Sequence, residues 1–349
     1  MIEQSNDSPR SDALSSHWVP LPEAAVEKLV RNIYGLTGTV KRLSSERDET
    51  FRFAALDGRN YTLKIANPAE DPEALTFQSN ALLHLAAVAS EVPVPRMVSP
   101  LTGGSNSSFT DESGERRIVR LLTFLEGEQQ YRTLASLQQN WNLGCALAAL
   151  GHGLRSFEER PNGKLLWDIS HALDLSDLVG CVGHSRQLLV KNVLAEFARK
   201  VPPVAEQLRT QIIHNDFNPH NILVHPDRSA EIVGIIDFGD MVHAPLINDL
   251  AVALSYHVAT DDWPALSRAL VCGYHSVAPL TPLEVDVLPI LVKARLAMTI
   301  IITEWRAASR PDNRDYILRN HPSALEGLQR LSKLTDPELR RILSPSCEA

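Results

Sequence analysis

The stretch Ile212-Ile213-His214-Asn215-Asp216-Phe217-Asn218-Pro219-His220-Asn221-Ile222-Leu223-Val224, followed by Ile232-Val233-Gly234-Ile235-Ile236-Asp237-Phe238-Gly239-Asp240, decides the reading of this chain. Apolar runs before His214, after Asn221 and before Asp237 predict short strands. The polar residues then fall on loops at strand ends, where side chains can converge. Asp216 is a candidate to accept a proton from a hydroxyl. Asn221 and Asp237 are candidates to offer oxygens to a hard divalent cation such as Mg²⁺. Phosphoryl transfer needs that combination. It asks little covalent chemistry of the protein and a great deal of alignment and charge neutralisation.

Working outward, Gly38 to Ile65 alternates in short runs, with Asp57-Gly58 as a hairpin turn signal between Thr50–Leu56 and Tyr61–Ile65. Helical spacing marks Pro22–Val30 and Pro72–Ala89, and two further strands are expected near 96–101 and 116–122, around a Gly- and Ser-rich loop. From Leu134 the pattern is helical, interrupted only by the strand-like pieces of 210–239. The expected architecture is α+β: a small antiparallel β lobe with one inserted helix, then a larger, mainly α-helical lobe. Residues 1–18, rich in Ser, Asp and Asn, are expected to be a disordered tail.

Composition bounds the function. The chain has 349 residues, 44% hydrophobic and 22% charged, which excludes a disordered, collagen-like or coiled-coil protein. A net charge of -8 leaves no global basic field to hold nucleic acid or an anionic membrane. Cys145, Cys181, Cys272 and Cys347 show no C-x-x-C spacing and are expected to be buried thiols. The polar, acidic N-terminus lacks a signal peptide's pattern, and Lys293 and Arg295 interrupt the apolar run 288–303, so a cytoplasmic location is expected.

H-x-D-x-x-x-x-N followed by D-F-G resembles the catalytic and metal-binding loops of the protein-kinase-like fold. The wording H-N-D-F-N-P-H-N-I-L (214–223) and I-I-D-F-G-D (235–240) is more similar to the aminoglycoside phosphotransferase and choline kinase superfamily, and within it to the hydroxylysine kinase branch. S-E-R-D-E-T-F (45–51), Y-T-L-K-I-A-N (61–67), V-P-V-P (92–95) and N-D-L-A (248–251) support this, and the similarity runs from about Pro20 to Leu331. The resemblance implies a bilobal fold with a nucleotide-binding lobe at 19–122, a hinge at 123–128 and a catalytic and substrate-binding lobe at 129–349. It implies a kinase using ATP or GTP with Mg²⁺, in which Asp216 is the catalytic base and Asn221 and Asp237 bind the metal. Lys64 would reach the phosphates, His214 and Asp249 would support the loop, and Thr123 to Leu125 would meet the purine.

Two departures from the family pattern stand out. The helix residue that pairs with the lysine is usually Glu, whereas Gln78 falls there, with Glu73 as an alternative partner. No G-x-G-x-x-G precedes Lys64, so Ser45 and Thr50, with the backbone amides between them, would cover the phosphates. The acceptor is expected beside Asp216 and the C-terminal helices. Asp240, Glu304, Trp305 and Tyr316 are candidates for an amine-bearing acceptor. Lys293 and Arg295 are candidates for a substrate carboxylate, with Arg295 weighed equally against pairing with an internal acid. A hydroxy amino acid such as hydroxylysine would use both kinds of partner. Aminoglycosides, homoserine and choline or ethanolamine are the alternatives within the superfamily. Outside it stand a metallohydrolase built on His214, His220, His225 and Asp216, and an inactive nucleotide-binding protein.

Overall fold

The computed structural model describes residues 19–45, 48–161 and 163–345, so the expected tail and Cys347 lie outside the described residues. The chain divides into two compact units. The first gathers residues up to Glu126 together with Glu159–Leu166 and Gly234–Gly239, and the second holds the remainder. The expected antiparallel β region and mainly helical remainder are what the chain forms.

The first unit runs α1 (Glu23–Tyr34), β1 (Gly38–Leu43), β2 (Glu49–Ala55), β3 (Asn60–Ile65), α2 (Pro72–Val88), β4 (Met97–Val98), β5 (Ser107–Thr110) and β6 (Arg116–Thr123). Its sheet has the order β1-β2-β3-β6-β4, with β5 also pairing to β6, and each of these pairings is antiparallel. The strand period of two sorts the faces. In β3, Tyr61, Leu63 and Ile65 are buried, while Asn60, Thr62 and Lys64 take the other face. Phe51, Phe53, Leu63, Ile65, Val119 and Leu121 form the core with Val26 and Val30 of α1. Each large apolar side chain so buried is worth about 1.5–3 kcal/mol. The β2–β3 turn closes at Gly58, whose φ of 87° suits glycine, and the Asp57 carboxylate accepts the Arg59 N–H at 3.0 Å. Asp71 caps α2 by accepting the Glu73 N–H at 2.9 Å, with Pro72 in the first turn. β5 falls where a loop was expected, because Ser107-Ser108-Phe109-Thr110 has only one large apolar residue to betray a strand.

The second unit runs β7 (Glu128–Gln129), α3 (Leu137–Leu154), α4 (His184–Lys200), β8 (Thr210–Ile213), β9 (Ile222–Val224), β10 (Ile232–Ile235, whose last two residues belong to the first unit), β11 (Val242–Pro245), α5 (Leu246–Ser255), α6 (Trp263–Val277), α7 (Pro282–Ser309), α8 (Arg314–Ile317), α9 (His321–Leu331) and α10 (Asp336–Ile342). α7 is its spine: 28 residues opened by a Thr281/Glu284 capping box and packed against α4, α5, α9 and the 3₁₀ run Ile169–Cys181. Lys293 on α7 is structural, since its ammonium lies 2.6 Å from Glu196 of α4.

α3 and α6 touch backbone to backbone. A Cβ on Gly144 would sit 2.1 Å from the Leu270 carbonyl oxygen, and one on Gly273 2.0 Å from that of Trp141. Neither neighbour can swing aside as a side chain would. Gly273→Ala is therefore expected to lower stability by roughly 1–3 kcal/mol through overpacking, read as a lowered urea midpoint at unchanged m-value.

Among the described residues no helix is long and apolar enough to cross a membrane. The cysteines correct the expectation. Cys145 is a half-buried free thiol and Cys181 an exposed one, while Cys272 is buried but disulfide-bonded.

Candidate active site

In the second unit the loop between β8 and β9 carries Asp216. The buried Asp249, in the first turn of α5, accepts the N–H groups of His214 at 3.0 Å and Asn215 at 2.6 Å. Burial pushes its carboxyl up to about 6, against the pull of those amides and of the Arg295 charge, so at neutral pH it is an ionised brace. The His214 ring is buried, with Nδ1 accepting the Asp216 N–H at 3.3 Å and Phe217 packed edge-on. Asn215 holds a φ of 63°, a left-handed conformation that Asn adopts more readily than most residues.

Asp216 is gripped on both carboxylate oxygens. Oδ1 accepts from the Asn218 amide at 2.8 Å and Oδ2 from the Asn221 amide at 2.7 Å. Asn221 Nδ2 also reaches the Asp216 carbonyl at 3.0 Å, so its amide nitrogen is committed inward. Its Oδ1 makes no hydrogen bond among the described residues, which suits a ligand for a hard cation. The carboxylate keeps 21% of its surface exposed, and the Arg295 guanidinium lies 3.8 Å from Oδ1. Arg295 itself is 2% exposed, donates to the Trp167 carbonyl at 2.6 Å and lies over the Trp167 ring. Of the two readings of Arg295, this placement matches the internal acid, and that acid is Asp216.

In the first unit Lys64 occupies the middle of a row. Register sets Thr50 of β2 opposite Lys64 of β3, and Lys64 opposite Arg120 of β6. The Lys64 ammonium lies 3.8 Å from Asp48 and 3.8 Å from Asp237. Asp237 is held at a φ of 64° with its side chain 52% exposed. Among the described residues, it and Asn215 are the non-glycine positions with positive φ. Such strain concentrates at functional sites.

Gln78 corrects the expectation for the helix partner. Its amide oxygen accepts from Arg120 Nη1 at 2.9 Å instead of meeting Lys64, because the buried arginine across the strand takes it. Glu73 is exposed at the start of α2, and the acids beside Lys64 are Asp48 and Asp237. Ser45 is exposed, and the Thr50 hydroxyl is buried without a hydrogen-bond partner among the described residues. Glu46 and Arg47, between them, lie outside the described residues. At 123–125, Thr123 exchanges hydrogen bonds with Arg96 and the Phe124 N–H donates to Asn60, whereas the Leu125 N–H makes no hydrogen bond among the described residues.

Sequence reasoning missed Asp48, Asn218 and Arg120. The available signal for Arg120 was its place, with Arg117, inside an apolar strand where a buried cation needs partners.

The acceptor candidates separate. Glu304 is committed: it accepts from the Gly183 N–H at 2.8 Å and Arg186 Nε at 2.9 Å, and lies 2.8 Å from His321. Burial would raise its carboxyl, but those partners outweigh it and hold the group below the usual carboxylate range. It ties the chain ahead of α4 to α7 and α9, a structural task that leaves it unsuited to an acceptor amine. Trp305 and Asp240 are half-buried. Tyr316 lies under the exposed Arg319, with 4.1 Å from the guanidinium to the ring centre. Among the described residues no three His, Cys, Asp or Glu side chains gather to hold a metal. His214 accepts from Asp216, His220 stacks on Tyr131 and His225 accepts from Asp227, so the metallohydrolase arrangement does not form.

The chain is 30% identical to the hydroxylysine kinase of Danio rerio, over 92% of this chain and 94% of that protein. It is 28% identical to the homoserine kinase of Chelativorans sp. (strain BNC1), over 74% and 80%. Among solved structures, a microcompartment-associated aminopropanol kinase shares the fold with a TM-score of 0.72 at 19% identity, covering 91% of this chain and 99% of that one. The profile of the phosphotransferase enzyme family (APH) matches residues 39–285, from β1 into α7. That match takes in well over half of the sequence, and the chain therefore belongs to the phosphotransferase enzyme family, as a small-molecule kinase acting on a hydroxyl acceptor.

Proposed function

We propose that the chain transfers the γ-phosphoryl group of ATP or GTP to the hydroxyl of a hydroxy amino acid, hydroxylysine foremost, with Mg²⁺ as cofactor. The observation that carries the transfer chemistry is the environment of Asp216: a partly exposed carboxylate fixed by two asparagine amides and backed by a buried arginine. So held, it orients the acceptor hydroxyl and takes its proton as the phosphoryl group is transferred. Asn221, through its uncommitted Oδ1, and Asp237 would hold Mg²⁺, and both fit a hard, oxygen-preferring cation. When bound, the metal supplies neutralisation of phosphate charge. Lys64 attracts the donor phosphates, Thr50 and Ser45 offer them hydroxyls, and the Leu125 N–H pairs with the purine.

The choice of acceptor is supported by where the hydroxylysine kinase likeness runs. It extends beyond residue 285, where the family profile ends, through α7, which carries Arg295, to the turn between α8 and α9, which carries Arg319. With Arg295 turned to Asp216, Arg319 is the better candidate for the acceptor carboxylate. Its guanidinium is exposed, lies over the Tyr316 ring and has no carboxylate partner among the described residues. A charged hydrogen bond contributes about 1.5–3 kcal/mol, so Arg319→Ala is expected to raise the acceptor KM roughly 10–100-fold at little change in donor KM.

The deciding experiment is a nucleoside-diphosphate-release screen over hydroxy amino acids, amino alcohols and aminoglycosides, with ATP and GTP. Hydroxylysine should give the highest kcat/KM. Equal turnover of amino alcohols lacking a carboxylate would defeat the amino acid reading. No turnover with any acceptor, despite nucleotide binding, would favour an inactive nucleotide-binding protein.

A further inference from the structure

Lys64 lacks the helix carboxylate that the family pattern supplies, and the first unit contains another arrangement in its place. A lysine ammonium on a four-carbon stem is a mobile point charge, so something must hold it if it is to meet a phosphate in one geometry. The nearer acid from the sheet side is Asp48, in the loop between β1 and β2. One oxygen of Asp48, Oδ2, lies 3.8 Å from the Lys64 ammonium and 3.6 Å from Arg120 Nη2. Arg120 is 4% exposed and sits directly across the sheet from Lys64. Its other terminal nitrogen donates to Gln78 at 2.9 Å. The chain of contacts therefore runs from helix to lysine in three steps: Gln78, Arg120, Asp48.

We infer that Arg120 is a positioning residue for the donor side: held by Gln78, it keeps Asp48 beside Lys64, and Asp48 does from the loop what a helix carboxylate otherwise does. The inference rests on Lys64 meeting the donor phosphates.

The charges explain why residue 78 is an amide. Asp48 is shared at ion-pairing distance by Lys64 and Arg120, and Asp237 stands beside Lys64 as a second acid. Burial disfavours the charge on Arg120, and Asp48, Asp237 and Glu70 offset part of that cost. The planar guanidinium satisfies a neutral acceptor with one terminal nitrogen and keeps the other for Asp48. A glutamate at 78 would compete with Asp48 for the guanidinium, leaving Asp48 and therefore Lys64 less firmly held. The departure from the family pattern at Gln78 and the buried arginine at 120 thus form one device.

The test uses the full chain with the acceptor found by the screen, measuring kcat, both KM values, binding of a non-hydrolysable nucleotide and melting temperature. Misplacing a catalytic group by an ångström costs about 100-fold. Asp48→Asn and Arg120→Met are each expected to lower kcat roughly 10–100-fold while acceptor KM stays within about twofold. Arg120→Lys should recover most of that loss. Gln78→Glu, which restores the family's usual residue, should reduce kcat about tenfold instead of raising it. Asp48→Asn is nearly isosteric, so it decides the matter even where Arg120→Met fails to fold. Wild-type kcat in Asp48→Asn and Gln78→Glu, with Lys64→Met severely impaired, overturns the inference and leaves the donor role of Lys64 standing. Unimpaired nucleotide binding and turnover in Lys64→Met overturns both.

Discussion

Asp216→Ala is expected to bind nucleotide within about threefold of the parent protein and to turn over roughly 10³-fold more slowly, the loss appropriate to a general base. Calorimetric titration with a non-hydrolysable nucleotide and steady-state kinetics read the two halves of that statement separately. The substitution removes the acceptor for the Asn218 and Asn221 amides but adds no clash. Asp216→Asn is the more damaging change, despite its similar shape. An amide nitrogen at 216 would face one of the two asparagine donors. Asn218 cannot turn to accommodate it without cost, because its Oδ1 already accepts the His220 N–H at 2.8 Å. Asn221 would turn only by giving up its bond to the Asp216 carbonyl, and turning would also withdraw from the metal the oxygen assigned to it. Asp216→Asn should therefore weaken Mg²⁺-dependent nucleotide binding, whereas Asp216→Ala should not. Parent-like turnover in Asp216→Ala would show the base assignment to be wrong.

Asp237→Ala should affect binding and turnover together. Loss of a charged metal ligand is expected to abolish the strengthening of nucleotide binding by Mg²⁺ and to reduce kcat about 10²–10³-fold, the range found when a preorganised electrostatic contact to the transition state is removed. Alanine at a φ of 64° also carries a backbone penalty of about 1–2 kcal/mol that Asp tolerates better. Asp237→Asn separates the two effects, since it keeps the left-handed preference and loses only the charge. Binding measured with and without Mg²⁺ should show Asp237→Asn as stable as the parent but insensitive to the metal. An unchanged Mg²⁺ dependence in both variants would remove Asp237 from the metal site.

Much of this was legible in the sequence because the decisive residues are local. H-N-D-F-N-P-H-N sits on eight consecutive positions, so Asp216 and Asn221 were legible together, although the second grip on Asp216, from Asn218, was not. The period of two in Tyr61–Ile65 likewise separates Lys64 from the apolar face without reference to any neighbour. What the sequence hid are contacts between distant positions. Gln78 and Arg120 are 42 residues apart, and their pairing depends on how the fold sets α2 beside β6, which no local pattern encodes. Arg295 lies 79 positions from Asp216 (295 minus 216), and composition alone left it balanced between a substrate and an internal acid. Glu304 read as a candidate for the acceptor amine because its partners Gly183, Arg186 and His321 come from separate parts of the chain.

The composition of the first unit has a practical consequence for dissecting the protein. Cutting after Glu126 would yield a polypeptide with all six strands of the main sheet, yet without Glu159–Leu166 and Gly234–Gly239. Such a truncation loses the Ile235 amide that donates to Pro93 at 2.8 Å, the Glu159 carboxylate that accepts from Asn80 and the Asp237 counter-charge of Lys64. Autonomous expression would call for a circularly rearranged or grafted gene that returns both short segments to the sheet.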